Sequence, residues 1–264
     1  MRVALCQIVS GPDPSANLDL VRDHVRKAAA EGAELVVFPE ATMACFGGPK
    51  LAELAEPLDG PWASAVREVA AEAGVTVLAG MFTPEPDGRV RNTLLITGPD
   101  GHRGYDKIHL FDAFGFKESA TVAPGSEQVT FDVGGTTVGA AVCYDVRFPE
   151  LFRGLADRGA RVIVVTASWG SGPGKREQWE LLVRARALDT TSWVVAVGQA
   201  DPATVGVTTE GTAPTGIGFS AIADPFGRLH TTFDAQPETR VIDIDPDAVE
   251  PARAAIPVLV NRRL

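Results

Sequence analysis

A cysteine and a glutamate each follow an apolar run in this sequence, and together with a lysine from a strand pattern they could attack a carbonyl carbon. Cys143 ends the run "GAAVC", and "YDVRFPEL" then predicts the start of a helix with Pro149 in its first turn. A thiol at such a turn can meet a ligand, and the backbone N–H groups of a helix N-terminus favour the thiolate. We therefore expect Cys143 to be a nucleophile whose pKa lies below the ordinary value of about 8.5.

Glu40 and Lys107 could serve the same chemistry. "LVVFPE" leads directly into Glu40, and a carboxylate at the end of a buried strand is costly unless it is paired or transfers a proton. In "YDKIHLFD", Lys107 shares one face of a strand pattern with Tyr105 and His109. Taken singly, these patterns are more typical of a surface-loop glutamate and a solvated strand face than of catalysis.

Two further motifs suggest a cysteine peptidase and a phosphate-binding loop, but the residues around them do not support either function. His109 could act as the base for Cys143, as in cysteine peptidases, but no peptidase signature surrounds the cysteine. "WGSGPGKRE" resembles a phosphate-binding loop, yet Trp169 replaces its first glycine and Arg176 replaces its Ser/Thr. Neither motif predicts a function.

The elements that must position these residues alternate along the chain. Strand patterns such as "RVALCQIV", "AELVVFPE", "VTVLAGMF" and "RVIVVTAS" are separated by helical patterns such as "LVRDHVRKAAAEG". Two hairpins are predicted, with turns at Pro99-Asp100-Gly101 and at Gly134-Gly135. Crossover helices combined with hairpins predict mixed sheets covered by helices. We expect one domain over residues 1–264, with a core to about residue 246 and a C-terminal tail over 247–264.

Composition narrows the class of protein. The 264 residues are 45% hydrophobic and 22% charged, which is typical of a globular protein, and the net charge of −10 disfavours nucleic-acid and anionic membrane partners. Three cysteines and four scattered histidines give neither a disulfide framework nor zinc spacing. The N-terminal apolar run is short and broken by Gln7, and no run approaches the length of a membrane span. We therefore expect a reduced, cytoplasmic protein.

Glu40, Lys107 and Cys143 occur in an order and in contexts that resemble the nitrilase superfamily of carbon–nitrogen hydrolases. "VVFPE" is similar to the family's glutamate motif, "YDKIHLFD" to its lysine motif and "CYDVRFPEL" to its cysteine motif. Three motifs in this order are far more specific than one, so they favour the catalytic interpretation of Glu40 and Lys107. "KIHLFD" and "CYDVRFPEL" most resemble the branch that holds ω-amidase and deaminated-glutathione amidase.

The resemblance implies a fold and a mechanism. The fold would be an α/β four-layer α-β-β-α sandwich with mixed sheets and the site at the ends of the central strands. Glu40 would take the thiol proton, Cys143 would attack the amide carbon to form a thioester, and Lys107 with the N–H of Tyr144 would stabilise the oxyanion. "FKESATVAPG" is similar to the segment that holds a supporting glutamate, here Glu118. No metal or organic cofactor would be needed.

The substrate is less defined than the chemistry. The loops "ATMACFGG" and "ASWGSGPGK" depart from the family pattern and should border the pocket, so Ser168 and Trp169 join Tyr144 as expected substrate-binding residues. We expect a small carboxamide of the ω-amide type. The alternatives are a nitrilase or N-carbamoyl hydrolase with the same triad and, outside the enzymes, a scaffold protein with an inactive site.

The C-terminal tail suggests an assembly. "PARAAIPVLVNRRL" has no evident partner in its own chain, and the helical pattern "REQWELLVRARALD" offers Trp179, Leu182 and Val183 along one side. Exposed apolar patches of this kind usually mark interfaces. We expect a two-fold homodimer in which the tail reaches the partner, as the family resemblance also implies; the alternative is a tail that folds back over its own domain.

Overall fold

Two β-sheets face each other at the centre of the fold, and helices pack on the outer face of each. The computed structural model describes residues 1–48, 50–209 and 211–263. Within these ranges the helices are α1 Pro14–Ala30, α2 Leu51–Leu54, α3 Pro61–Ala73, α4 Pro149–Asp157, α5 Lys175–Thr190, α6 Val249–Ala255 and α7 Val258–Asn261.

The strands of the same ranges are β1 Arg2–Gln7, β2 Leu35–Val37, β3 Thr76–Pro84, β4 Val90–Gly98, β5 Gly101–Asp106, β6 Asp112–Ala113, β7 Phe116–Lys117, β8 Val122–Ala123, β9 Thr130–Val133, β10 Thr136–Val142, β11 Val162–Ala167, β12 Trp193–Gly198, β13 Ala221–Ala223, β14 Leu229–Thr232 and β15 Glu238–Asp243. Short 3-10 turns span Glu118–Ala120, Cys143–Arg147, Pro202–Val205 and Pro246–Ala248.

The sheets are mixed, as the sequence predicts. The first sheet has the strand order β15-β1-β2-β3-β4-β5, with β8 beside β4, and the second has the order β14-β13-β12-β11-β10-β9. In each sheet three central strands run parallel, β1 to β3 and β10 to β12, while the outer strands pair antiparallel, except that β8 is parallel to β4. The predicted hairpins are present as β4–β5 and β9–β10.

Strand alternation explains the four layers. In β1, Val3 and Leu5 belong to the core between the two sheets, whereas Ala4 and Cys6 pack in the core that α1 and α3 form on the outer face. Successive side chains of a strand point to opposite faces, so an apolar run with no polar alternation buries both faces. This confirms the predicted α-β-β-α sandwich.

The structure corrects the expected apolar side of α5. Trp179 and Val183 are fully buried in the core of their own chain, and Leu182 is half-buried against it. The exposed apolar side chains of this helix are instead Leu181 and Leu188, which are 65% and 42% exposed. The period of the helix was predicted correctly, but the face that packs on the sheet was assigned wrongly.

The tail has more contacts with its own chain than expected. Val249 and Ala252 are buried, and Arg262 forms an ion pair with Asp157 of α4 at 2.7 Å. Beyond Ala252 the apolar side chains emerge, and Val260 is 79% exposed. The expectation that the tail lacks a partner in its own chain is therefore wrong for its first helix.

Membrane-spanning helices and metal-binding groups of side chains are both absent from the described residues. None of the described helices is long and apolar enough to cross a membrane. In the same residues, no group of three or more His, Cys, Asp or Glu side chains could hold a metal ion.

Candidate active site

Four of the predicted residues meet at one place, and three of them lie just beyond the carboxyl end of a strand. Glu40 lies three residues beyond β2, Lys107 follows β5 directly, Cys143 follows β10 directly, and Glu118 opens a 3-10 turn. All four are buried, with exposed fractions between 1% and 6%. Because strand ends of both sheets meet at one edge, residues from four distant segments share one small volume.

Lys107 is the centre of a charged cluster, which we define as Glu40, Lys107 and Glu118. The ammonium Nζ lies 2.9 Å from Oε1 of Glu40, and 3.1 and 2.9 Å from Oε1 and Oε2 of Glu118. Burial by itself would lower the pKa of Lys107, but the charge of Glu118 and then that of Glu40 outweigh burial and hold this pKa well above its usual value. Lys107 is therefore a cation across the physiological range.

Asn92 is a site residue that sequence reasoning missed. Its side-chain amide on β4 donates to Oε1 of Glu40 at 2.7 Å and to Oε1 of Glu118 at 3.0 Å. One amide group thus spaces the two carboxylates and uses both of its N–H bonds. The signal in "RVRNTLLIT" is an amide side chain just before the apolar run "LLI" of a strand.

The backbone around Glu40 is fixed by close packing. The N–H of Ser168 donates to Oε2 of Glu40 at 2.7 Å, and the side chain of Gln199 donates to the carbonyl of Glu40 at 3.0 Å. The next residue, Ala41, has a positive φ of 59°. A Cβ on Gly80 of β3 would lie 2.8 Å from Cα of Glu40, so only glycine allows this approach.

Cys143 occupies a strained turn. Its φ is +49°, a left-handed conformation that non-glycine residues rarely adopt and that is often found at functional sites. The 3-10 turn Cys143–Arg147 separates it from α4, which begins only at Pro149. The sequence suggested that the thiol lies at the N-terminus of an α-helix, and this prediction is wrong.

The acidity expected of this thiol is also corrected. Burial, followed by the charge of Glu40, raises the pKa of Cys143 well above its usual value, and the positive charge of Lys107 opposes this only in part. The resting thiol is therefore neutral. The charges of both Glu40 and Glu118 disfavour the thiolate, so ionisation of Cys143 requires proton transfer to a neighbouring group.

A pocket opens over the thiol, and all three expected substrate-binding residues line it. Tyr144, Ser168 and Trp169 contact the same space as Cys143 and the charged cluster, and Phe46, Phe111 and Phe116 add aromatic walls. The Ser168 hydroxyl donates to the carbonyl of Pro214 at 2.8 Å. The backbone N–H of Ser168 thus binds Glu40, and its hydroxyl is hydrogen-bonded to Pro214.

Two cations, Arg147 and Lys175, line the same pocket and were not expected from the sequence. Within the described residues their contacts are with neutral groups. Arg147 donates to Oε1 of Gln178 at 2.7 Å and lies over the ring of Trp169, and the Lys175 ammonium lies 3.7 Å from the ring centre of Phe114. Burial and then the charge of Arg147 lower the pKa of Lys175.

His109 is occupied away from the thiol. Its Nδ1 lies 2.8 Å from Oδ1 of Asp145, and its ring stacks on Phe148 with centroids 3.7 Å apart. This arrangement favours the structural role over that of a peptidase base.

Comparisons with known proteins show which proteins this chain resembles. The family model for carbon-nitrogen hydrolases matches residues 2–254. The chain is 58% identical over 270 residues to Hydrolase Rv0480c of Mycobacterium tuberculosis, covering 99% of this chain and 95% of the relative. It is 34% identical over 272 residues to omega-amidase NIT2 of Mus musculus, covering 99% and 95%. The crystal structure of Saccharomyces cerevisiae Nit3, a member of branch 10 of the nitrilase superfamily, superposes with a TM-score of 0.86 at 27% identity, covering 100% of this chain and 97% of that one.

Proposed function

Because the chain belongs to the carbon–nitrogen hydrolase family and is an enzyme that acts on C–N bonds, we propose that it is an amidase for a small carboxamide with a distal carboxylate. Hydrolysis of such an ω-amide yields a dicarboxylate and ammonia. The observation that carries this proposal is the pair of cations, Arg147 and Lys175, that share the pocket of Cys143 and contact only neutral groups among the described residues.

We propose the following chemical roles, which this geometry supports. Glu40 accepts the proton of the neutral thiol as Cys143 attacks the amide carbon. Lys107 donates to both carboxylates, and as the carbon is attacked an N–H of this ammonium, with the N–H of Tyr144, stabilises the oxyanion. Glu40 then protonates the departing ammonia, and a water molecule that Glu40 deprotonates hydrolyses the thioester. Glu118 holds Lys107 in place and is not consumed.

A substrate carboxylate would relieve an unfavourable arrangement. Burial and then the charge of Arg147 lower the pKa of Lys175, so the two cations repel each other in a partly desolvated pocket. An anion between them removes this repulsion and forms charge-assisted hydrogen bonds. The aromatic walls fit the short carbon chain that would join the carboxylate to the amide.

An ammonia-release screen tests the proposal. Monoamides of four- and five-carbon dicarboxylic and 2-oxo dicarboxylic acids are compared with neutral amides of equal length, the matching nitriles and N-carbamoyl amines. The first group should have the highest kcat/KM. Equal turnover of neutral amides would reject the distal carboxylate, faster turnover of nitriles would favour a nitrilase, and preference for N-carbamoyl amines would favour that hydrolase.

Charge-removing variants test the role of the two cations. Arg147→Gln and Lys175→Met should each lower kcat/KM for the anionic amide by about 10- to 100-fold, the range of a lost charged hydrogen bond, and leave neutral amides unchanged. Arg176→Met is the matched control, because Arg176 lies next to Lys175 but pairs with Glu180 at 2.8 Å on the helix surface. A loss that is equal for neutral and anionic amides would contradict the assignment.

We also propose that residues 1–264 act as one domain within a two-fold homodimer. Leu181 and Leu188 of α5, together with Ile256 and Val260 of the tail, are exposed and apolar. Such side chains support an interface along α5 and the tail.

A further inference from the structure

A third buried carboxylate, Asp145, lies two residues beyond the thiol and outside the charged cluster. Its side chain is fully buried and its two oxygens have four hydrogen-bonding contacts. Oδ2 accepts from the hydroxyl of Tyr105 at 2.7 Å and from the N–H of Val142 at 2.9 Å. Oδ1 accepts from the N–H of His109 at 3.0 Å and lies 2.8 Å from Nδ1 of the same residue.

These contacts join the two segments that carry the reacting groups. Tyr105 and His109 stand two residues before and two residues after Lys107, and Val142 immediately precedes Cys143. One carboxylate therefore ties the segment of the ammonium to the turn of the thiol. We propose that Asp145 is a positioning residue that fixes Cys143 relative to Lys107, and this rests on the proposed function in taking them as nucleophile and oxyanion donor.

The strained turn explains why the contact with Val142 matters. Cys143 is held at a φ of +49°, and such a conformation persists only where surrounding contacts enforce it. Asp145 binds the N–H of Val142 on one side of the cysteine, and its own carbonyl accepts from the N–H of Phe148 on the other. Loss of the side-chain bond would let the turn relax and move the sulfur away from the ammonium.

A carboxylate is required because every partner on the backbone and on Tyr105 is a donor. An asparagine offers one oxygen and one NH₂ group, so the NH₂ would face donors on one side, and those hydrogen bonds would be lost. The His109 ring lies at 7° to the ring of Phe148, which keeps Nδ1 directed at the carboxylate. Asp145→Asn thus changes hydrogen bonding with little change in volume.

The experiment compares three variants of the full chain by turnover and by thiol reactivity. Asp145→Asn and Tyr105→Phe each weaken the contact, and Thr97→Val is the control, since Thr97 is fully buried at the far end of β4 and hydrogen-bonds to His102 at 3.0 Å. The readouts are kcat and KM for the best amide, the melting temperature, and the rate of Cys143 alkylation by iodoacetamide. Peptide-resolved mass spectrometry separates Cys143 from Cys6 and Cys45.

Asp145→Asn should lower kcat about 100-fold, as expected for a misplaced reacting group, with KM changed by less than about threefold. Alkylation of Cys143 should slow in parallel, and Tyr105→Phe should show about a tenfold effect on both. Thr97→Val should lower the melting temperature without changing either rate.

Three outcomes would overturn the positioning role. The first is a folded Asp145→Asn protein with normal kcat and alkylation, and the second is a loss of kcat and alkylation rate no larger than that of Thr97→Val. The third is an Asp145→Asn protein that fails to fold while Tyr105→Phe has unchanged rates. If no amide in the screen is hydrolysed but alkylation still depends on Asp145, the proposed function fails and the positioning role stands.

Discussion

Replacing Lys107 by methionine should lower both the stability and the activity of the protein, because it removes the positive charge that balances two buried carboxylates. The ammonium lies 2.9 Å from a carboxylate oxygen of both Glu40 and Glu118, and all three side chains are at most 2% exposed. Removing one partner of a buried ion pair costs about 3–5 kcal/mol, because the remaining charge is uncompensated. Here two carboxylates would be left facing each other.

The pH range over which Lys107 stabilises the wild type follows from the pKa of the lysine itself. In the wild type, the pKa of Lys107 is raised well above its usual value, so the stabilisation by this lysine is fully present at neutral pH and is lost only as pH rises through that higher pKa. Between pH 6 and 8 the contribution of Lys107 to wild-type stability is therefore constant.

Urea unfolding at neutral pH measures this contribution. Lys107→Met should be destabilised by about 3–5 kcal/mol relative to the wild type. Lys117→Met, which removes an exposed lysine beside Glu118, is the control and should show no such loss. Activity of Lys107→Met should fall at least about 100-fold, because the oxyanion loses a donor. A Lys107→Met protein as stable as the Lys117→Met protein would refute the argument that Lys107 balances the two carboxylates.

Three more changes test other parts of the site and the assembly. Cys143→Ala should abolish turnover without changing the melting temperature, and Cys143→Ser should be nearly inactive because a hydroxyl is far less acidic; residual amidase activity in the alanine protein would exclude the nucleophile role. Gly80→Ala should lower both kcat and the free energy of unfolding, the latter by about 1–3 kcal/mol, because its Cβ would overlap the backbone N of Ala41. Gly11→Ala is the control, since a Cβ there has its nearest neighbour at 3.8 Å. Equal kcat and stability of the two variants would contradict this prediction. Sedimentation should show a dimer for the full chain and a monomer after truncation beyond Asp247, whereas a monomer in both would remove the proposed interface.

The fold and the placement of Glu40 and Cys143 at strand ends were predictable because their signals are local. Apolar runs that end at Glu40 and Cys143 predict strand ends, and the turn glycines between them predict the hairpins. The identity of the partners is not local. Asn92 donates to Glu40 across 52 positions of sequence, and only the packing of β4 beside β5 places it between two carboxylates.

The errors have the same origin. At Cys143 the nearby sequence suggested a helix N-terminus and a lowered pKa, whereas burial and Glu40, from the other sheet, raise it. On α5 the helical period predicts that Trp179 and Leu182 lie along one side of the helix. The angle at which the helix meets the sheet decides which of these two side chains is buried. Both quantities are set by tertiary packing.

The charges that line the pocket indicate how many anionic groups a substrate should carry. Glu40 and Glu118 are balanced against Lys107, Arg147 and Lys175, which leaves one positive charge while the thiol is neutral. A substrate with one carboxylate brings the enclosed site to neutrality, whereas a neutral amide leaves two cations facing each other and a dianion leaves a buried negative charge beside the developing oxyanion. The ranking of kcat/KM should therefore place monoanionic amides first, and an enzyme that prefers dianionic or neutral amides would show that Arg147 and Lys175 do not bind the substrate together.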